Sequence, residues 1–176
     1  MVVKDIIKKE EELKEQILLS EDKKAYRSER FKKIEDKVKD SLKRQSTDEA
    51  LKNITVWALV LGSSDIHYEV FERYIVVRFR IDWILVDIFR LDIQEYKLVK
   101  ERLKYSSSLK LNITNVPQDG KYSLDLGVVD EKSKRVDVRV STLPIKYGEN
   151  IVCRVLDSAG IVVDFEKLWF FWTSKR

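Results

Sequence analysis

The sequence predicts an α+β fold, in which a long N-terminal helical arm precedes a small domain with a mainly antiparallel sheet. Residues 1–46 contain neither glycine nor proline, and lysine and glutamate dominate this segment. After residue 62 the apolar residues change from a helical spacing to the alternation that is typical of strands. Short turn-like sequences separate the strand-like segments, as hairpins of an antiparallel sheet require.

The composition is that of a soluble globular protein with a highly charged surface, because 44% of the 176 residues are hydrophobic and 36% are charged. No apolar run approaches the roughly 20 residues that a membrane-spanning helix needs, and the charged start does not resemble a signal peptide. We therefore expect no direct membrane insertion. The single cysteine, Cys153, cannot form an internal disulfide, which fits a reducing cytoplasm.

The arm, residues 1–46, carries apolar residues that recur at threes and fours and so form one narrow helical stripe. These residues are Ile6, Leu13, Ile17, Phe31, Ile34, Val38 and Leu42. The sequence Ser20-Glu21-Asp22 favours a break between two helices. We interpret the arm as a solvated helical linker with little core of its own. The alternative is a helix or coiled-coil arm that binds a partner.

The next elements are a helix and a hairpin. Thr47, Asp48 and Glu49 supply a capping hydroxyl and an acidic first turn for a helix that ends near Gly62. Residues 74–81 and 84–89 are rich in β-branched and aromatic side chains, and only two residues, Asp82 and Trp83, join them. This spacing predicts a two-residue hairpin turn.

A second helix and three further strands complete the prediction. Residues 92–107 favour a helix with apolar residues on one side, and residues 117–120 have the composition of a turn. The strands are expected at residues 121–127, 134–142 and 150–156, with a charged hairpin tip at residues 130–133.

Four sequence motifs occur in a fixed order. They read SSDIHYE at residues 63–69, VRFRID at 77–82, VPQDG at 116–120, and DVRVSTLP at 137–144 followed by GENIVCRVLD at 148–157. In this order they resemble the ATPases of type II secretion and type IV pilus assembly, over roughly residues 58–172. The resemblance implies that residues 47–172 form the second N-terminal domain of that family, with a PAS-like fold. Residues 173–176 would then begin the link to a motor domain.

The resemblance also implies functional residues. Arg139 and Arg154 match arginines that approach the γ-phosphate of a nucleotide held by the motor domain of the same or a neighbouring subunit. A planar guanidinium group suits this task because it binds two phosphate oxygens at once and stays charged. Arg78 and Arg80 alternate with apolar residues and are weaker candidates for the same role. The alternative is that these are ordinary strand arginines paired with acidic neighbours such as Asp137 or Glu149.

The other motif residues are expected to have structural roles. They are Asp65, His67, Glu69, Asp82, Gln118, Asp119, Gly120, Gly148 and Glu149. On a strand, Asp65, His67 and Glu69 would share one face and superficially resemble a metal-binding triad. Because nothing else in the sequence supports a metal, we predict no metal site. Cys153 is interpreted as a buried strand thiol.

The sequence lacks the phosphate-binding loop G-x-x-x-x-G-K-[ST]. ATP and Mg²⁺ belong to the intact family, and we expect neither cofactor for this chain alone, which should not hydrolyse ATP. We expect a truncated gene, an incomplete assembly of the gene or a misread stop codon.

The resemblance predicts the N-terminal regulatory and assembly domain of a hexameric ATPase. In the cytoplasm this ATPase would lie at the inner membrane, bound to a platform protein of the secretion or pilus machinery. One alternative is a stand-alone, non-enzymatic module that regulates a full-length relative. A nucleic-acid-binding domain is a weaker alternative, suggested by a pI of about 9.0. The 30 acidic residues interspersed with 34 basic ones argue against specific binding of nucleic acid.

Tryptophan stands where the family has glycine. Trp83 follows Asp82 at the end of the second motif, and Trp169 and Trp172 match glycines of a later segment. Trp57 has no assigned counterpart. We hypothesise that the codon UGA, which the organism would read as glycine, has been translated as tryptophan at all four of these positions. The alternative is that all four tryptophans are natural.

Overall fold

The computed structural model describes residues 23–129 and 132–156. Its helices are α1 (Lys23–Lys43), α2 (Thr47–Val60) and α3 (Ile93–Ser106). The strands are β1 (Ser63–Val70), β2 (Ile75–Ile81), β3 (Ile84–Leu91), β4 (Gln118–Val129), β5 (Lys132–Ile145) and β6 (Gly148–Leu156). The expected break at residues 20–22, the tryptophans at 169 and 172, and residues 173–176 lie outside the described residues.

The six strands form one sheet in the order β3-β2-β1-β6-β5-β4, and every neighbouring pair is antiparallel. The predicted α+β fold with an antiparallel sheet is therefore confirmed. The first and the last strand in the sequence, β1 and β6, lie side by side at the centre of the sheet. This pairing brings together motifs that are far apart in the chain.

The helices cover one face of the sheet. On that face the ring of Tyr68 in β1 stacks on the ring of Tyr96 in α3, with the ring centroids 6.1 Å apart. Val138 and Cys153 belong to the same core and are 0% exposed, so Cys153 is the buried strand thiol that was predicted. Burial raises the pKa of the Cys153 thiol. Because side chains alternate along a strand, the residues between these core positions lie on the opposite face.

Helix α1 lies within the segment predicted to be an arm. Its stripe residues Ile34 and Val38 are 0% exposed and contribute to the core together with helix α2. None of the helices in the described part of the chain is long and apolar enough to cross a membrane.

The termini of α2 differ in part from the prediction. Its N-cap residue is Ser46 rather than Thr47, and the Ser46 side chain makes no capping hydrogen bond. Gly62 follows the C-terminal end with a φ of 67°, as expected for a glycine in this position. Helix α3 begins with a capping box, in which Asp92 accepts a hydrogen bond from the Glu95 amide and the Glu95 side chain accepts one from the Asp92 amide.

The predicted turn at residues 117–120 is wrong, because β4 already begins at Gln118. The Gln118 amide donates a hydrogen bond to the Thr142 hydroxyl of β5, and the Gln118 side chain binds the carbonyl oxygens of Lys110 and Ile113. A side chain at Gly120 would not fit, since a Cβ atom there would lie 2.4 Å from the carbonyl oxygen of Ser107. The Gln118 side chain thus attaches the loop at residues 110–113 to the start of β4.

Candidate functional site

The face of the sheet opposite the helices carries a row of charged residues, one from each of five strands. Cross-strand partners run from Arg80 through Asp65, Arg154 and Arg139 to Lys121. We call these five residues the arginine row. It combines four positive side chains with a single carboxylate.

Asp65 is the single carboxylate of this row, and it is only 5% exposed. Its Oδ1 accepts a hydrogen bond from Arg154 Nε at 2.9 Å, and its Oδ2 accepts one from the Ser64 hydroxyl at 2.8 Å. Arg80 Nε lies 3.3 Å from the same Oδ2 atom. Burial alone would raise the pKa of Asp65, but the hydrogen bonds from Arg154 and Ser64 and the two positive charges outweigh it and lower that pKa.

Arg139 is exposed, and within the described residues it makes no hydrogen bond or ion pair. The carboxylates nearest to it along and across the strands are engaged elsewhere. Asp137 accepts a hydrogen bond from the Ser123 hydroxyl at 2.6 Å, and Asp119 accepts one from the Ser141 hydroxyl. Neither pairing that would make Arg139 an ordinary strand arginine, with Asp137 or with Glu149, is present.

Arg139 and Arg154 are directly opposite each other on β5 and β6. Two like charges in this position repel each other and destabilise the sheet. The side chains border a depression of about 450 Å³, lined by Asp65, Asp119, Arg139, Ser141, Val152 and Arg154. An anion bound between the two guanidinium groups would remove the repulsion, so this arrangement is suited to a phosphate.

Arg78 and Arg80 lie on the same face but differ in their contacts. Arg78 is engaged on both sides, since its Nη1 lies 2.9 Å from Glu69 Oε2 and its Nε lies 2.7 Å from Asp87 Oδ1. Arg80 contacts only Asp65, through Nε, which leaves the two Nη groups of Arg80 without a protein partner in the described chain. Of the two weaker candidates, Arg80 has more donors left for a ligand, because both of its Nη groups are available and Arg78 already uses Nε and Nη1 on two carboxylates.

His67 shares this face with Asp65 and Glu69, as predicted. Its Nε2 atom is buried and has no hydrogen-bond partner in the described residues. Burial, together with the positive charge of Arg80, lowers the pKa of His67, so the imidazole is neutral at pH 7. The two carboxylates beside it are held by arginines. Residues 23–129 and 132–156 contain no group of three or more potential metal ligands.

Glu149 lies on the opposite, helix-covered face, and is 1% exposed. Lys104 of α3, also 1% exposed, donates to Glu149 Oε1 at 2.9 Å and to the Ile113 carbonyl oxygen at 2.7 Å. Sequence reasoning missed Lys104. The only local signal is a lysine directly after the apolar residue Leu103, and its partner is 45 positions away.

The remaining motif residues lie in turns and strand ends. Asp82 occupies the first position of the β2–β3 turn, with a φ of 49°. Gly148 begins β6 with a φ of 143°, a conformation that favours glycine, and its neighbour Glu149 accepts a hydrogen bond from the Tyr96 hydroxyl on its carbonyl oxygen at 2.6 Å.

Comparison with known proteins gives matches over this same region. The family model described as Type II/IV secretion system protein matches residues 40–175. A protein named Type II secretion system protein E from Dickeya dadantii is 43% identical over 106 residues, which are 60% of this chain and 20% of that protein.

Two further relatives carry the word ATPase in their names. The Type II secretion system ATPase E of Vibrio cholerae is 38% identical over 63% of this chain and 21% of its own length. The Type IV pilus assembly ATPase PilB of Myxococcus xanthus is 35% identical over 64% of this chain and 19% of its own length. The matched region thus spans about a fifth of the length of these relatives.

Proposed function

Since the chain belongs to the Type II/IV secretion system protein family, we propose that it acts as the N-terminal regulatory and assembly domain of a secretion or pilus assembly ATPase. In this proposal Arg139 and Arg154 contact the terminal phosphate of a nucleotide that a motor domain holds. The observation that carries the proposal is the direct opposition of these two arginines, one of which has no partner in the described chain.

The chemistry of the pair supports this role. The Nε of Arg154 is bonded to Asp65, which leaves the two Nη groups of Arg154 available as donors to a ligand. The Arg154 side chain is 62% exposed, so a ligand can reach these groups. An arginine supplied from outside the motor can stabilise the charge of a transferring phosphoryl group, with rate effects of about 10³–10⁵-fold. Both side chains would therefore make the rate or the consequences of hydrolysis depend on how this domain packs on the motor.

The proposal includes the partners that such a role needs. ATP and Mg²⁺ are bound by a motor domain, and the motors assemble as a hexameric ring. The ring works in the cytoplasm against a platform protein in the inner membrane. The names of the relatives, a type II secretion protein and a pilus assembly ATPase, support this assignment.

Binding of inorganic triphosphate to the whole chain tests the proposed site. At constant ionic strength, the double variant R139A/R154A should bind triphosphate at least about tenfold more weakly than the wild-type chain, since each arginine contributes charged hydrogen bonds. The matched control is the double variant R44A/R90A, which also removes two positive charges but from outside the arginine row. Arg44 follows helix α1 and lies 2.8 Å from Asp40, and Arg90 is on the edge strand β3, over the ring of Tyr74 at 4.8 Å. If the variant and the control weaken triphosphate binding equally, the loss of affinity comes from net charge alone, and the proposal of a specific site is wrong.

A further inference from the structure

Asp65 contacts both of its arginines by the same edge of the guanidinium group. Arg154 donates through Nε at 2.9 Å, and Arg80 approaches through Nε at 3.3 Å. Neither arginine uses its Nη groups on a protein partner in the described chain. The carboxylate therefore occupies the Nε side of each guanidinium group and leaves the Nη groups available to a ligand.

The position of Asp65 is itself held from three sides. It lies on β1 between Arg80 on β2 and Arg154 on β6, and the neighbouring Ser64 hydroxyl donates to it at 2.8 Å. With 5% exposure it has little freedom to move, whereas Arg154 is a long side chain with 62% of its surface exposed. A buried fixed group that bonds an exposed mobile one restricts the rotamers of the mobile group.

We propose that Asp65 is a positioning residue of the anion site, which orients Arg154 and Arg80 so that their Nη groups face a phosphate beside Arg139. This inference rests on the proposed function of the arginine pair. Asp65 does not touch the phosphate, and its negative charge by itself opposes the binding of an anion. Its contribution is to reduce the rotamer freedom that the two arginines would otherwise lose on binding.

Charge and orientation predict opposite results when Asp65 is neutralised. If only charge mattered, D65N would bind inorganic triphosphate more tightly than the wild-type chain, because the site would gain one unit of net positive charge. If Asp65 orients the arginines, D65N binds more weakly, by about tenfold, because a neutral amide is a poorer acceptor for two guanidinium groups.

The matched control is D119N. Asp119 lines the same depression, but it is bonded to the Ser141 hydroxyl and not to an arginine. D119N should bind triphosphate as tightly as the wild-type chain or more tightly. At equal ionic strength, weaker binding by D65N together with unchanged or tighter binding by D119N supports the inference. Binding by D65N that is as tight as in the wild-type chain, or tighter, overturns it.

A second variant, R154K, keeps the charge at an exposed position and does not rely on a buried substitution. Lysine lacks the Nε–H that Asp65 holds and the planar fork that binds phosphate. We expect weaker binding than in the wild-type chain, and in the D65N background R154K should cause a smaller loss than in the wild-type background. Equal losses in the two backgrounds would show that Asp65 does not act through Arg154.

Nitrogen-15 NMR of the arginine Nε–H groups gives a readout that a purely structural role would not change. In the wild-type chain the Nε–H of Arg154 should exchange slowly with water, and triphosphate should leave this contact intact. In D65N the signal should exchange fast while the circular dichroism spectrum stays the same.

The two proposals fail in different ways. If R139A/R154A binds triphosphate like the wild-type chain, the anion site is absent and both proposals fall. If R139A/R154A binds weakly but D65N binds as tightly as the wild-type chain, the site stands and the positioning role of Asp65 alone is wrong.

Discussion

At the scale of single residues, Asp65 links the charge of the site to the stability of the fold. Its pKa is lower in the folded chain than in the unfolded chain, where it is about 3.9. The contribution of the ionised carboxylate to stability is therefore present above the unfolded pKa and is lost as the pH falls through the folded pKa. We expect the free energy of unfolding of the wild-type chain to decline below about pH 4 more steeply than that of D65N.

Urea denaturation at a series of pH values between neutral and strongly acidic measures this difference. D87N is a suitable control, since Asp87 also accepts from an arginine but its side chain is 58% exposed. Parallel pH profiles for the wild-type chain and D65N would contradict the ion-pair account of this residue.

Trp83 occupies a backbone conformation that suits glycine. Its φ is 68°, and its side chain is 89% exposed, so it gains little from burial. A bulky residue in the left-handed region costs about 1–2 kcal/mol relative to a conformation it prefers. We expect W83G to raise the free energy of unfolding by about 1 kcal/mol, because glycine relieves this strain but also loosens the unfolded chain.

Trp57 provides the opposite case and serves as the control. It lies within α2, is 4% exposed, and has Lys37 Nζ over its ring at 5.3 Å. W57G should destabilise the fold by more than about 3 kcal/mol, through the lost burial and the glycine in a helix. Thermal unfolding of both variants decides whether the two tryptophans differ in this way.

These two environments refine the proposal of a reassigned codon. The strained turn supports a glycine at position 83, and the packed core supports a tryptophan at position 57. Sequencing of the native gene tests it directly, with UGA expected at codon 83 and UGG at codon 57. UGG at codon 83 would make the tryptophan there natural.

At the scale of elements, the pair of Lys104 and Glu149 attaches α3 to the start of β6. Both side chains are about 1% exposed, and Lys104 also binds the carbonyl oxygen of Ile113 in the loop that precedes β4. Removal of one partner of a buried ion pair leaves an unpaired charge and costs about 3–5 kcal/mol. We expect K104M to lose an amount at the lower end of this range, since Lys100 Nζ lies 3.5 Å from Glu149 and compensates in part.

Urea denaturation of K104M and K100A measures the two contributions separately. K100A, which removes the longer contact at a 23% exposed side chain, should lose well under about 1.5 kcal/mol. If the double substitution K104M/E149L restores most of the stability, the cost in K104M comes from the unpaired charge and not from altered packing.

The elements themselves could be predicted where the signal is local. The β2–β3 hairpin and the helix after residue 92 follow from side-chain periodicity and from the two-residue turn at Asp82 and Trp83, and both are present. The segment at residues 117–120 has the composition of a turn because Pro, Asp and Gly are common in turns. Its strand depends on a distant partner, Thr142, and on the close approach of Ser107 to Gly120, and neither can be read from neighbouring residues.

At the scale of the whole molecule, the site depends on contacts that no local pattern contains. That Arg139 and Arg154 share a face follows from alternation within one hairpin. The pairing of Arg154 with Asp65 requires β6 to lie beside β1, across 89 positions of the chain. The family resemblance pointed to the two arginines and to Asp65 as a structural residue, whereas the contact of Asp65 with Arg154 depends on the order of the strands.

A polypeptide of these 176 residues should bind triphosphate without releasing phosphate from ATP. The arginine row provides positive charge, but the sequence contains no G-x-x-x-x-G-K-[ST] loop to hold the nucleotide and its metal ion. A phosphate-release assay with ATP and Mg²⁺ measures this. A rate above that of buffer alone, lost in R139A/R154A, would mean that the chain has a catalytic site of its own.

The pairing of β1 with β6 has a mechanical consequence. The two strands are antiparallel, so the chain enters β1 and leaves β6 at the same end of the sheet, where Asp65 faces Arg154. A force that pulled the start of β1 away from the end of β6 would separate the two strands one contact at a time, beginning at this end of the pair. The link between Asp65 and Arg154 is among the first that such a force would load. Tension between these two strand ends would therefore load the arginine row before the remaining contacts of β1 with β6.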